Sequence, residues 1–275
     1  MQLRAVPVFV DVNPEDFTMN PADAAEKKSA RTKAAIPVHL YGMPAHLKEL
    51  SGLRVPLIED AAQAHGSEGA WGRCGSFGVA AAFSFYPTKN LGAYGDGGMI
   101  VTSNAEISRQ ARLLRNYGQK ENYSSEIPGD NSRLDELQAA ILRVKLKRLE
   151  SSNRRRREIA AIYRSAFAEL PLLTQKETGR SNYHLFVVAT ADRDDLRRHL
   201  LAEGVPTAIH YPIPLHRQKA FESLRPSRGL SCPNADQLCA RVLSLPMHAH
   251  LASHEVEHVI SAVRSFFARP ASRER

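Results

Sequence analysis

A lysine set among close-spaced glycines just beyond a strand is placed to form a carbon–nitrogen bond with a carbonyl compound, the chemistry of a Schiff base. The segment Phe83 to Val101, FSFYPTKNLGAYGDGGMIV, has this form, with Lys89 followed by Gly92, Gly95, Gly97 and Gly98. Pro87 prevents regular strand pairing there, so Lys89 reads as a loop residue. A single lysine is more often a solvated charge, and the glycines could only make turns. The GxxxxGK[ST] order of a phosphate-binding loop is absent, and GDGG does not match GxGxxG. A second segment, LIEDAAQAHG, puts Asp60 at the carboxyl end of a short apolar strand. Ligands of open α/β sheets bind at strand carboxyl ends, although a lone aspartate there is more often a turn or cap residue. Gln63 follows three residues later and can share the same crevice if a helical turn opens after Asp60.

Such groups need elements to hold them. Short apolar runs at Val6 to Val12, Ala34 to Leu40, Val55 to Ile58, Val79 to Phe85 and Met99 to Thr102 read as strands. Between and after them, Pro21 to Lys27, Ala45 to Leu50 and Ala105 to Tyr117 read as helices, which gives an α/β sheet with helices on its faces. Leu134 to Glu150 carries the clearest helical stripes, Leu134–Leu137–Ile141 and Leu142–Leu146–Leu149. A further helix over Arg154 to Phe167 follows. Strands at His184 to Ala189 and Thr207 to Tyr211, with helices at Leu196 to Ala202 and Ser253 to Phe267, read as an α+β unit. The change of pattern near residues 145 to 155 predicts a large unit over 1–150 and a smaller one over 151–275.

Composition narrows the function classes. The 275 residues are 43% hydrophobic and 24% charged, the mixture of a globular protein rather than a disordered or collagen-like one. No apolar run approaches the roughly 18 residues of a membrane span. The cysteines Cys74, Cys232 and Cys239 form no CxxC pair, so neither a disulfide framework nor a metal site is expected, and a cytoplasmic setting follows. The net charge of +8 is partly concentrated in Lys145, Lys147, Arg148 and Arg154 to Arg157. No aromatics are interleaved with these bases, so they read as a solvated helix face, with no nucleic-acid partner.

The ordered set LIEDAAQAHGS, FSFYPTKNLGAYGDGGMIVT, RLLRNYG, GDNSRLDELQAAIL, YHLFVV, IHYPIPLH and LSLPMHAHL resembles the DegT/StrS family of pyridoxal-phosphate sugar aminotransferases. The resemblance implies the fold-type I aminotransferase architecture, a homodimer with sites at the subunit interface, and pyridoxal 5'-phosphate as cofactor. It implies transfer of an amino group from an amino acid, glutamate, to a keto-sugar attached to a nucleotide. Lys89 matches the lysine that bonds to the cofactor aldehyde and later moves protons. Asp60 matches the carboxylate facing the pyridine nitrogen, and Gln63 a residue against the ring or its phenolic oxygen. Ser84 matches a hydroxyl donor to the cofactor phosphate, and Asn131 a phosphate ligand from the other subunit. His39, Tyr41, His210, Tyr211 and His216 are candidates to line the substrate pocket.

The resemblance also implies an early strand and helix, a phosphate-binding Gly-Thr/Ser pair and a ring-stacking aromatic ahead of MQLRAVPVFVDV. The large unit is therefore expected to be N-terminally truncated, with an uncovered sheet region near Val6 to Val12. On that expectation the alternative to an aminotransferase is a non-catalytic paralogue or fragment of the same fold.

Overall fold

The computed structural model describes residues 3, 5–121, 123–224 and 231–268. Its first sheet has the order β1–β4–β5, with β1 (Ile58–Asp60) parallel to β4 (Ala80–Ser84) and β4 antiparallel to β5 (Gly98–Val101). Parallel bridges Ala35–Leu57 and Val38–Asp60 extend it beyond β1. Two short hairpins, β2 (Glu68–Gly69) with β3 (Gly72–Arg73) and β6 (Gln119–Glu121) with β7 (Ser124–Ser125), decorate its connections. Side chains alternate across a sheet, so the cross-strand partners Asp60, Ala82 and Ile100 share one face, and Glu59, Ala81 and Val101 the other. The second face is closed, with Glu59 and Ala81 buried. The first is open, with Ala82 exposed and Ile100 at 59% exposure.

The helices α1 (Pro21–Lys27), α2 (Leu47–Ser51) and α3 (Ala105–Leu114) form where the sequence predicts them. Asn20 caps α1 and Asn104 caps α3, each side chain accepting from two first-turn N–H groups. The predicted strand Val6 to Val12 does not form. Val12 makes one bridge to Met19, while Val6 and Val8 are exposed. An apolar run becomes a strand only when a neighbour takes its N–H and C=O groups. For the same reason Ala34 to Leu40 is reduced to bridges, and Thr207 to Tyr211 to the single bridge Ala208–Ser244.

The long helix predicted over Leu134 to Glu150 is divided. α4 covers Glu136–Leu146, and α5 runs Leu149–Phe167. Leu142 is buried, but Leu137 is 70% exposed and Leu146 is also exposed, so the apolar stripes of α4 face outward in part. On α5 the residues Asn153, Arg156, Ala160, Tyr163 and Phe167 recur at helical spacing and are buried. Arg156 departs from the solvated face expected of this basic run. Its Nη1 donates to the carbonyls of Tyr183 (3.0 Å), His184 (3.3 Å) and Met247 (3.0 Å).

The second sheet is antiparallel in the order β10–β9–β8, from β8 (Leu173–Thr174), β9 (Phe186–Ala189) and β10 (Val242–Leu245). Sequence patterning missed β10 and the preceding helix α7 (Pro233–Arg241). Phe186 and Val188 of β9 pack with α5, α6 (Arg193–Ala202) and α8 (Ser253–Ala268). Val187 and Ala189 point the other way, against Phe17 and Tyr41. Burial on both faces explains the unbroken apolar run FVVA, and it seats the second sheet on the N-terminal part of the chain.

Candidate active site

At the carboxyl end of β1, Asp60 Oδ1 accepts from Ala62 N at 3.1 Å and turns the chain. The turn aims Gln63 inward. Its Oε1 accepts from Tyr41 N at 2.6 Å, and its Nε2 donates to the Tyr211 hydroxyl at 3.2 Å. The next strand, β4, ends at Ser84, whose Oγ accepts from Tyr86 N at 3.3 Å. The loop that follows folds back on itself. Lys89 N donates to Tyr86 O at 2.9 Å, and a Cβ on Gly92 would lie 2.4 Å from Pro87 O, so that turn requires glycine.

This loop leaves Lys89 half-buried, and among the described residues its amine has no ion-pair partner. Burial lowers its pKa, and the negative charge of Asp60 opposes that shift. Three histidines feel the lysine's charge. Burial first, then Lys89, pushes His65 down to about 4, with the Ser84 backbone opposing. Among the described residues neither His65 ring nitrogen has a partner in hydrogen-bond geometry, and the ring packs 5.2 Å from Phe83 and 6.0 Å from Phe85. His184 is pushed down to about 3 by burial and then by Lys89, and its Nδ1 lies 3.2 Å from Asn90 Oδ1. His210 is lowered by burial and Lys89, with its Nδ1 2.8 Å from Ser244 Oγ. Tyr41, whose phenol burial raises well above its ordinary range, donates through its hydroxyl to His210 O. The crevice therefore gathers an amine that loses its proton more readily than usual, a carboxylate, a carboxamide and three imidazoles biased to the neutral form.

Lys89, Asp60, Gln63, Tyr41, His210 and Tyr211 are thus brought together, and Ser84 lies at the same strand end. His39 is not a pocket residue. It is fully buried, its Nε2 2.8 Å from Glu59 Oε2 and its Nδ1 accepting from Ala45 N at 3.0 Å, so both ring nitrogens are taken up by structure. His216 is also held elsewhere, 3.1 Å from Asp236 Oδ1 and beside Phe9. Asn131 is exposed, bridged to Asn116, and accepts from Arg133 Nε at 2.9 Å. The sequence patterns assigned no role to Glu59, Asn90 or His184. Their signal was adjacency, since Glu59 and Asn90 flank Asp60 and Lys89, and His184 lies within the YHLFVV motif.

The family model for DegT/DnrJ/EryC1/StrS aminotransferases matches residues 1–264. The chain belongs to this family. It is 44% identical over 272 residues to the dTDP-3-amino-3,4,6-trideoxy-alpha-D-glucose transaminase of Streptomyces venezuelae, covering 96% of this chain and 72% of the relative. It is 43% identical over 272 residues to the UDP-N-acetyl-3-dehydro-alpha-D-glucosamine 3-aminotransferase of Acidithiobacillus ferrooxidans, with the same 96% and 72% coverage. The crystal structure of S. venezuelae DesV in complex with a ketimine intermediate superposes with a TM-score of 0.90 at 43% identity, over 95% of this chain and 72% of that one. The mixed α/β fold is therefore that of the DegT/DnrJ/EryC1 aminotransferases, enzymes that depend on pyridoxal phosphate.

The residues present fit that cofactor. An amine without an ion-pair partner suits an aldehyde, a carboxylate suits a protonated ring nitrogen, and the unpartnered nitrogens of His65 leave polar capacity unused inside the same crevice.

Proposed function

We propose that this protein moves an amino group from an amino acid, glutamate, to a keto-sugar carried on a nucleotide, with pyridoxal 5'-phosphate held at the Lys89 crevice. The observation that carries this reading is the half-buried Lys89 amine, with burial favouring its neutral form, within reach of the Asp60 charge. The likeness to transaminases of dTDP- and UDP-linked sugars supports the nucleotide. Pyridoxal phosphate supplies an aldehyde that carries the amino group and a ring that accepts an electron pair from the substrate carbon.

The chain's residues divide the remaining work. Lys89 Nζ would hold the cofactor and would carry the proton to and from the substrate carbon. Asp60 keeps the ring nitrogen protonated. Gln63, fixed at both ends of its carboxamide, would hold the ring, and Ser84 would donate to the phosphate. Tyr41, His210 and Tyr211 wall the substrate side. Asn131, exposed and bridged to Asn116, serves the phosphate of a second copy in a homodimer. The outward apolar residues of α4, Leu137 and Leu146, support a partner surface. The reading places the protein in the cytoplasm, with residues 1–150 as the cofactor-binding unit and 151–275 as the smaller one.

The test is an absorbance spectrum of purified protein with added pyridoxal phosphate, before and after borohydride, followed by peptide mapping. Label on Lys89 and a spectral change on adding glutamate are expected. Label on another lysine in folded protein removes the assignment.

A further inference from the structure

Lys89 is followed by Asn90, whose side chain is the centre of a polar knot. Asn90 Nδ2 donates to Asn153 Oδ1 at 2.9 Å and to Asn182 O at 3.0 Å. With its amide nitrogen so used, its Oδ1 faces His184 Nδ1 at 3.2 Å and accepts from it. Asn153 Nδ2 donates to His65 O at 2.8 Å. Asn182 Nδ2 donates to the carbonyls of Gln63 (3.0 Å) and His65 (3.1 Å), and its Oδ1 accepts from His184 N at 3.0 Å. Asn153 and Asn182 are fully buried.

The backbone has been shaped to admit these amides. Gly42, at φ +98°, would put a Cβ 1.9 Å from Asn182 Oδ1, and Gly66, at φ +79°, would put one 2.8 Å from Asn153 Nδ2. Asn153 belongs to α5, and Asn182 and His184 to the segment entering β9. Three separate stretches of chain are therefore joined through these side chains: the lysine loop, the Gln63–His65 turn, and the segments α5 and the approach to β9. Buried amides with all partners in place fix one arrangement, because any slip leaves polar groups unpaired.

We propose that Asn90, Asn153 and Asn182 are positioning residues that hold the Lys89 amine in register with the Gln63–His65 turn and keep it out of water, so that the lysine's acidity depends on how the second sheet is seated. The titratable groups facing Lys89 are Asp60, His65, His184 and His210, and Arg156 acts on His184 from α5. The depressed lysine pKa is consistent with this, since burial is its first cause. The inference rests on the proposed role of Lys89, but its test needs no cofactor.

The experiment is competitive acetylation of the cofactor-free chain across pH 7 to 11, read lysine by lysine by mass spectrometry. Wild type is compared with Asn90→Ala and Asn153→Ala, and the exposed Lys48 of the same sample serves as internal standard. Loosening the knot lets water reach Lys89, raises its pKa and lowers its labelling near pH 8 about threefold relative to Lys48. Asn90→Gln, which keeps both donor and acceptor, is expected to recover part of the shift. Thermal melts identify any variant that fails to fold, and Asn90, only partly buried, is the less disruptive site. Lys89 titrations that overlay wild type in folded Asn90→Ala and Asn153→Ala overturn the proposal. Failure of wild type to capture pyridoxal phosphate overturns the proposed function instead and leaves the acetylation result standing.

Discussion

Glu59→Gln tests how the sheet sorts two consecutive carboxylates. Glu59 is fully buried and receives four donors. Oε2 accepts from Gly75 N at 2.6 Å and lies 2.8 Å from His39 Nε2, while Oε1 accepts from Phe77 N at 2.8 Å and Gly78 N at 2.7 Å. Because His39 Nδ1 accepts from Ala45 N, its Nε2 carries the hydrogen and donates. Burial alone raises the pKa of Glu59, but the His39 donor and the N–H groups of Gly78 and Gly75 outweigh it and leave the carboxyl below its ordinary value. Glutamine turns one oxygen into an NH2 group that faces two donors. Hydrogen bonds to a charged group contribute about 1.5–3 kcal/mol each, so losing two costs about 3–6 kcal/mol. For a chain of this size that is a fall in melting temperature of about 5–10 °C, and the same loss appears as a lower urea midpoint. Urea unfolding followed by far-UV circular dichroism measures it. The depressed pKa adds a pH signature. Stability from Glu59 is fully present above the unfolded value of about 4.3 and is lost as pH falls through the folded value, so wild type and variant converge in acid. A variant within 1 kcal/mol of wild type at neutral pH, by the scale of surface substitutions, would refute the four-donor account.

Lys89→Ala is expected to abolish borohydride-stable capture of pyridoxal phosphate, read by intact mass. Asp60→Asn should leave a folded protein whose transamination of glutamate falls about a hundredfold or more, measured by the rate of spectral change; an undiminished rate removes its charge from the mechanism. Gly42→Ala, at φ +98° and with no room for a Cβ, should lower the urea midpoint by the equivalent of about 2 kcal/mol or more. His65 and His184, pushed down to about 4 and about 3, should show no imidazole titration by NMR between pH 5 and 8. In the unfolded chain they bind protons below about 6.5 that the folded chain refuses, so stability should decline as pH drops from there.

The lysine loop and the Asp60–Gln63 turn were legible because their chemistry is local: a charged residue, a strand end and nearby glycines within one segment. Helices with a buried stripe, such as Ser253 to Phe267, were legible for the same reason. His39 was misread because nothing local reveals that a carboxylate twenty positions away and a loop N–H occupy both sides of its ring. The amide knot was invisible on similar grounds. All but one of its bonds span 63 to 119 residues, and asparagines in a sequence read as turn formers. Val6 to Val12 shows the converse error, since a strand-like composition needs a hydrogen-bonding neighbour before it becomes a strand.

The open face of the first sheet has a practical consequence for samples of this protein. Among the described residues β5 ends the order of this sheet, and its residues Met99 and Ile100 are exposed. Edges of this kind are where chains add strands to one another. The opposing force is the net charge of +8, which resists association beyond the proposed dimer. Salt shortens the reach of that repulsion, to about 8 Å at physiological ionic strength, and leaves the apolar edge untouched. Colloidal stability should therefore be highest in dilute buffer, with light scattering rising as salt is added.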